Sequence, residues 1–199
     1  MTEPIDEAVA AALAGQLIVL PTDTVYGLGT RPDDAEATAR LFAAKARIRE
    51  LELPVLAGSI EAAEAIAVFD DRARALARSH WPGALTIVLP RSDASGAWDL
   101  GGNAETIGVR VPDHPIAVAV LARTGPLAVT SANRSGEPTP GTCDELFDIF
   151  GDGVAVYLCQ ADPPPGVAST VVDLTGAPTI LRQGSVHLGS TLGRRSSRG

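Results

Sequence analysis

Basic residues are scarce in this chain, and so are aromatics, cysteine and histidine. Lys and Arg total 16 of 199 residues against 24 Asp and Glu, a formal net charge of −8. A protein whose task is to coat nucleic acid carries a broadly basic face, so the composition argues against that class. The one basic run, "GRRSSR" near the C-terminus, reads as solvated and disordered rather than as an RNA patch. Aromatics make up only 4%, so Ala, Val, Leu and Ile must fill the core, and the length suits one domain. The two cysteines, Cys143 and Cys159, are too few for a disulfide framework and lack metal-site spacing. No apolar run approaches the roughly 18 residues of a membrane span, and nothing at the N-terminus reads as a signal peptide. The cytoplasm is the expected compartment. His80, His114 and His187 lie far apart in sequence, which speaks against histidine acid–base chemistry. A GxxxxGK[ST] phosphate loop, a GxGxxG turn and a GxSxG elbow are all missing.

What is present is an alternation of amphipathic helices with short apolar strands. "PIDEAVAAALAGQ" (residues 4–16) predicts a helix, with Pro4 in its first turn, Asp6 and Glu7 at its positive end and Gly15 as its stop. "LIVL" follows as a buried strand, and "DDAEATARLFAAKARI" (residues 33–48) predicts a second helix. Further helices are expected in "SIEAAEAIA", "DDRARALARSH", "HPIAVAVLART" and "CDELFDIF". Strands are expected in "LPVLAG", "ALTIVLP", "TIGVRVP", "PLAVT", "VAVYLC", "STVVDL" and "TILR". This order implies one α/β sheet covered on both faces, spanning residues 1–187 and followed by a disordered tail over 188–199.

Polar residues gather where the strands end, the place where open α/β sheets bind ligands. "PTDT" follows Leu20, "TSAN" follows Val129, and Arg182 follows Leu181. Thr or Asp after a strand-ending proline also forms turns without help from function, and Asp23 reads as such a turn former. "VTSANRSGEPTPG" (residues 129–141) is either a capped loop or a ligand loop presenting hydroxyl, amide and backbone N–H groups to an anion. Arg110, set between valines, must reach solvent or meet a negative group. Lys45 and Arg47 stand about 200° apart on a continuous helix and share a side only if the chain is extended there. A solvated basic face on a helix packed through Leu41, Ala44, Ile48 and Leu51 is the plain alternative.

Together these stretches resemble the YrdC-like threonylcarbamoyl-AMP synthase family. The motifs carrying the resemblance run in order: "PTDTVYGL", "KARIRELEL", "WPGALT", "VRVPDHP", "SANRSGEPTPG", "STVVDL" and "LRQG". The match covers about residues 4–184. It implies a single-domain, twisted mixed β-sheet flanked by helices, with a large concave site. It implies an enzyme that condenses L-threonine, bicarbonate and ATP, with Mg²⁺, into threonylcarbamoyl-AMP and pyrophosphate. The product would feed a downstream tRNA-modifying transferase complex, tRNA itself binding weakly at most and no membrane being involved.

Carried over position by position, Lys45, Arg47, Ser131 and Asn133 match the polar set credited with nucleotide binding and catalysis. Thr24, Arg110 and Ser169 match threonine-holding positions, and Thr106 and Arg182 match further ATP contacts. No metal-ligating residue is implied. The chain departs from the family pattern at Ala46, Ile48 and Glu52, where Gly, Pro and a further Pro stand, at Gly141, where Thr stands, and at Leu56, where some relatives place His. Two rival expectations remain: a YrdC-like carbamoyl-transfer protein with another acceptor, and an RNA-binding module without chemistry.

Overall fold

The computed structural model describes residues 2–46 and 49–188. Its elements run α1 (Thr2–Leu13), β1 (Ile18–Leu20), β2 (Gly27–Thr30), α2 (Ala35–Lys45), β3 (Val55–Leu56), α3 (Ile60–Ile66), α4 (Asp71–His80), β4 (Leu85–Pro90), β5 (Thr106–Arg110), α5 (Pro115–Thr124), β6 (Leu127–Ser131), α6 (Cys143–Phe150), β7 (Val156–Tyr157), β8 (Thr170–Asp173) and β9 (Thr179–Arg182). Among the described residues nine strands form one sheet, in the order β7-β1-β2-β6-β3-β5-β4-β8-β9. Three neighbouring pairs are parallel, β1–β7, β3–β5 and β4–β8, and the others are antiparallel. The expected mixed sheet flanked by helices is thus the observed one. No described helix is long and apolar enough to cross a membrane.

Side-chain alternation divides the core. Val19, Val55, Ile87, Leu89, Ile107, Val109 and Val172 pack with Leu41 and Phe42 of α2, Ala63 and Ile66 of α3, and Leu76 of α4. The opposite face carries Ile18, Leu20, Leu56, Leu127 and Val129, packed under α1 and α5. That second helical layer reaches only part of the sheet. On the same side, Thr86, Val88, Gly108, Arg110 and Val171 line an open hollow. Helices lie on both faces, as expected, and the strands left uncovered on this one are where the site lies.

β2 was not expected as a strand. Its sequence is GLGT, and glycine weakens strands because it contributes no side-chain packing. Here small size is what the position requires. A Cβ on Gly27 would stand 2.5 Å from Val129 Cγ1, and one on Gly29 would stand 2.8 Å from Val129 Cγ2.

The second helix is shorter than predicted. Asp34 caps its start by accepting from the amides of Glu36 and Ala37, and its C-cap Ala46 turns left-handed, at φ 49° and ψ 38°. An αL residue closes a helix whatever its identity, and glycine does so without the Cβ penalty. Ala46 therefore performs the turn of the family glycine at a cost of about 1 kcal/mol. The Lys45 carbonyl then accepts from the Ser135 amide, docking the loop after β6 onto the end of α2.

Cys143 and Cys159 form a disulfide, their Cα atoms 5.8 Å apart. Leu188, expected in the tail, is instead buried in the main core; residues 189–199 lie outside the described residues.

Candidate active site

The loop between β1 and β2 is built from hydroxyl hydrogen bonds. Thr22 Oγ1 donates to the Val25 carbonyl (2.6 Å) and accepts from the amides of Thr24 and Val25 (both 3.2 Å). Because a threonine has one hydroxyl hydrogen, the 2.9 Å contact between Thr22 Oγ1 and Thr24 Oγ1 makes Thr24 the donor. Thr24 then accepts from Arg110 Nη1 at 2.9 Å. The polar cluster at the strand mouth thus holds an arginine in place.

Arg110 ends β5 and is only 5% exposed. Its Nε donates to the Gly83 carbonyl (2.9 Å) and its Nη2 to Asp23 Oδ1 (2.5 Å). Asp23 is therefore more than a turn former: it is the guanidinium's counter-charge. Burial nevertheless pushes Arg110 below its ordinary pKa, against the pull of Asp23, and Arg182 adds to the lowering. Arg182 is likewise lowered by burial. It reaches back from β9 to donate from Nε to the Ser169 carbonyl (3.0 Å) and from Nη2 to Ser169 Oγ (3.1 Å). Ser169 Oγ lies 2.9 Å from Thr86 Oγ1. Of these two guanidinium groups only Arg110 is bonded to a carboxylate, Asp23, among the described residues, which leaves Arg182 uncompensated and suited to an anion.

A second cluster sits where α2 meets β6. Lys45, the chain's only lysine, is 2% exposed. Its Nζ donates to the Ser131 carbonyl (2.7 Å) and to Asn133 Oδ1 (2.8 Å), and lies 3.5 Å from Ser131 Oγ. Ser131 Oγ donates to Asn133 Oδ1 at 2.6 Å. The Asn133 amide nitrogen donates to the carbonyls of Arg134 and Glu137. Asn133 is thereby occupied in aligning Lys45 and Ser131. Burial of Lys45 with these partners removes the plain reading of a solvated helix face.

These groups border one cavity of about 290 Å³, lined by Thr22, Thr24, Arg110, Ser131, Ser169 and Arg182 among others. Lys45 and Asn133 bond to Ser131 from behind. Thr106 stands outside the lining but lies 3.4 Å, through Oγ1, from Glu52 Oε2, and Glu52 is a wall residue. Arg47 lies outside the described residues. Among the described residues there is no group of three or more His, Cys, Asp or Glu that could hold a metal ion.

Glu52 was not expected in the site. Burial raises its carboxyl to about 7, outweighing the opposing influence of Arg91 and Thr106; Arg91 Nη2 lies 3.6 Å away. Only its departure from the family pattern pointed to this position. Leu56, where some relatives have His, gives the cavity an apolar wall. Thr142 does not stand in for the residue missing at Gly141: its hydroxyl donates to Glu145 Oε2 (2.9 Å) in a capping box that starts α6.

A family model described as "Telomere recombination", named for Sua5, YciO and YrdC, matches residues 10–184. A Mycobacterium tuberculosis protein provisionally named threonylcarbamoyl-AMP synthase is 46% identical over 184 residues, 92% of this chain and 84% of that one. The threonylcarbamoyl-AMP synthase of Pyrococcus abyssi is 37% identical over 177 residues, 87% of this chain and 52% of its own. The crystal structure of P. abyssi Sua5 complexed with L-threonine superposes with a TM-score of 0.86 at 34% identity, covering 95% of this chain and 57% of that one. This chain therefore spans little more than half the P. abyssi protein.

Proposed function

Since the chain belongs to the Sua5, YciO and YrdC family, we infer that it is a threonylcarbamoyl-AMP synthase, an enzyme that condenses L-threonine, bicarbonate and ATP and releases pyrophosphate. The observation carrying this reading is the gathering of Arg110, Arg182 and Ser131 at one cavity, with Lys45 bonded to Ser131, in a chain of net charge −8. The positive charge is local to that cavity, as small anionic substrates require and a nucleic-acid surface does not.

In this reading Arg110 binds the threonine carboxylate, with Thr24 and Ser169 beside it. Lys45, Arg182 and Ser131 face the nucleotide phosphates, Arg47 joins them, and Asn133 keeps Lys45 aligned. Thr106 acts at the Glu52 wall. Carboxylated threonine is its own nucleophile toward the α-phosphate, so the enzyme need supply no nucleophile. Its contribution is to neutralise a triphosphate and a carboxylate and to hold them in line. The Ser131 hydroxyl fits that division of labour, because its hydrogen is given to the Asn133 amide oxygen, which is not a base. Mg²⁺, which favours phosphate oxygens over a protein cage, would enter on the triphosphate and shield its charge. The adenylate would pass to a tRNA-modifying transferase, and that work would place the enzyme in the cytoplasm.

Pyrophosphate release from ATP tests the reading. Release that requires both threonine and bicarbonate supports it. Release indifferent to threonine would mean another acceptor, and no release with tight RNA binding would mean a module without chemistry.

A further inference from the structure

The Asp23–Arg110 pair has a second use, which rests on the reading that threonine binds in this cavity. Arg110 has five N–H groups, and three are committed, to Gly83, Thr24 and Asp23. Two remain, enough for one carboxylate. Asp23 is also unevenly used. Oδ1 accepts from Arg110 Nη2 and from the Asp113 amide (3.1 Å), while Oδ2 takes no hydrogen bond among the described residues. Its side chain is 17% exposed, and its neighbours Thr22 and Thr24 both line the cavity.

An α-amino acid carries its ammonium two bonds from its carboxylate carbon. With that carboxylate on the free N–H groups of Arg110, the nitrogen comes beside the other partner of the same guanidinium. Thr24 gives its hydroxyl hydrogen to Thr22 and accepts from Arg110, so it offers an ammonium one lone pair but no counter-charge. Glu52, the carboxylate in the cavity lining, belongs to Arg91 and Thr106. We propose that Asp23, through Oδ2, is the ammonium-binding residue, and that Asp23 and Arg110 together form a receptor for the zwitterion. The site would then select an amino acid over the hydroxy acid of the same shape. The cation on Arg110 is balanced both before and after binding, since the ligand brings one charge of each sign.

The test compares L-threonine with 3-hydroxybutanoate, which keeps the carboxylate and hydroxyl but lacks the amine. Both are titrated calorimetrically, the weaker by competition, into the full chain, Asp23→Asn and Asp23→Ala, with ATP titrations confirming that each variant is folded. The wild type should prefer threonine by tenfold or more, about 1.4 kcal/mol. Both variants should lose threonine affinity by about that factor, while 3-hydroxybutanoate binds as well or better because its carboxylate meets an Arg110 without its counter-charge, so that the preference collapses. Parallel weakening of both ligands would show that Asp23 merely orients Arg110 and would overturn the proposal, as would an unchanged preference. A wild type that binds ATP but no threonine would instead overturn the functional reading beneath it.

Discussion

Lys45 Nζ, the only side-chain amine in the chain, lies 2.8 Å from Asn133 Oδ1, joining the last turn of α2 to the loop after β6. Replacing Lys45 by Met should depress turnover about a hundredfold or more, the usual loss when one preorganised cation or donor is removed, with a much smaller change in the Michaelis constant for threonine. A lysine-selective reagent offers a check, because Lys45 is its one side-chain target: ATP should protect against inactivation. Unaltered turnover in the variant would return Lys45 to a structural role.

The left-handed C-cap at Ala46 predicts a gain on substitution. Ala46→Gly relieves the Cβ strain and should stabilise the fold by about 1 kcal/mol, raising Tm by roughly 2–4 °C for a chain of this size. Thermal unfolding monitored by circular dichroism measures it. Activity should be kept, since the turn is already made.

Glu52 sets a pH dependence. Its folded pKa of about 7, against 4.5 ordinarily, means that the folded state holds this proton more tightly than the unfolded chain. Stability is therefore lost as pH rises from 4.5 through 7, by about 3 kcal/mol when complete. Glu52→Gln should match the wild type near pH 4 and exceed it by up to that amount at pH 8. Urea unfolding at the two pH values is the measurement.

The Cys143–Cys159 disulfide closes a loop with a sequence separation of 16, for which chain entropy predicts about 3 kcal/mol. Cys143→Ser should cost 2–4 kcal/mol in denaturant unfolding of the oxidised protein and leave one free thiol by titration. No difference between the variant and the wild type would contradict the bond's structural weight.

These residues also show what a linear reading can and cannot reach. The α/β order, most strand positions and the polar cluster at each strand end follow from periodicity and turn chemistry, which are local. β2 does not, because its glycines are required by Val129 from a neighbouring strand. The end of α2 turns on whether Ala46 accepts a left-handed conformation, a cost that the docking of Ser135 onto Lys45 helps to offset. Asp23 looks like any turn residue until β5 brings Arg110 to it, and Glu52 until the sheet buries it beside Arg91. The pairing of Cys143 with Cys159 depends on α6 and the segment after β7 meeting in space. In each case the missing information is a partner distant in sequence.

The central claim is that one cavity holds two addresses, a carboxylate at Arg110 and phosphates at Lys45 and Arg182. The most direct measurement is a pair of Michaelis constants for Arg110→Ala, read from pyrophosphate release with ATP and L-threonine varied in turn. The account predicts a rise of about tenfold or more in the constant for threonine, and little change in that for ATP. An equal rise in both would contradict it.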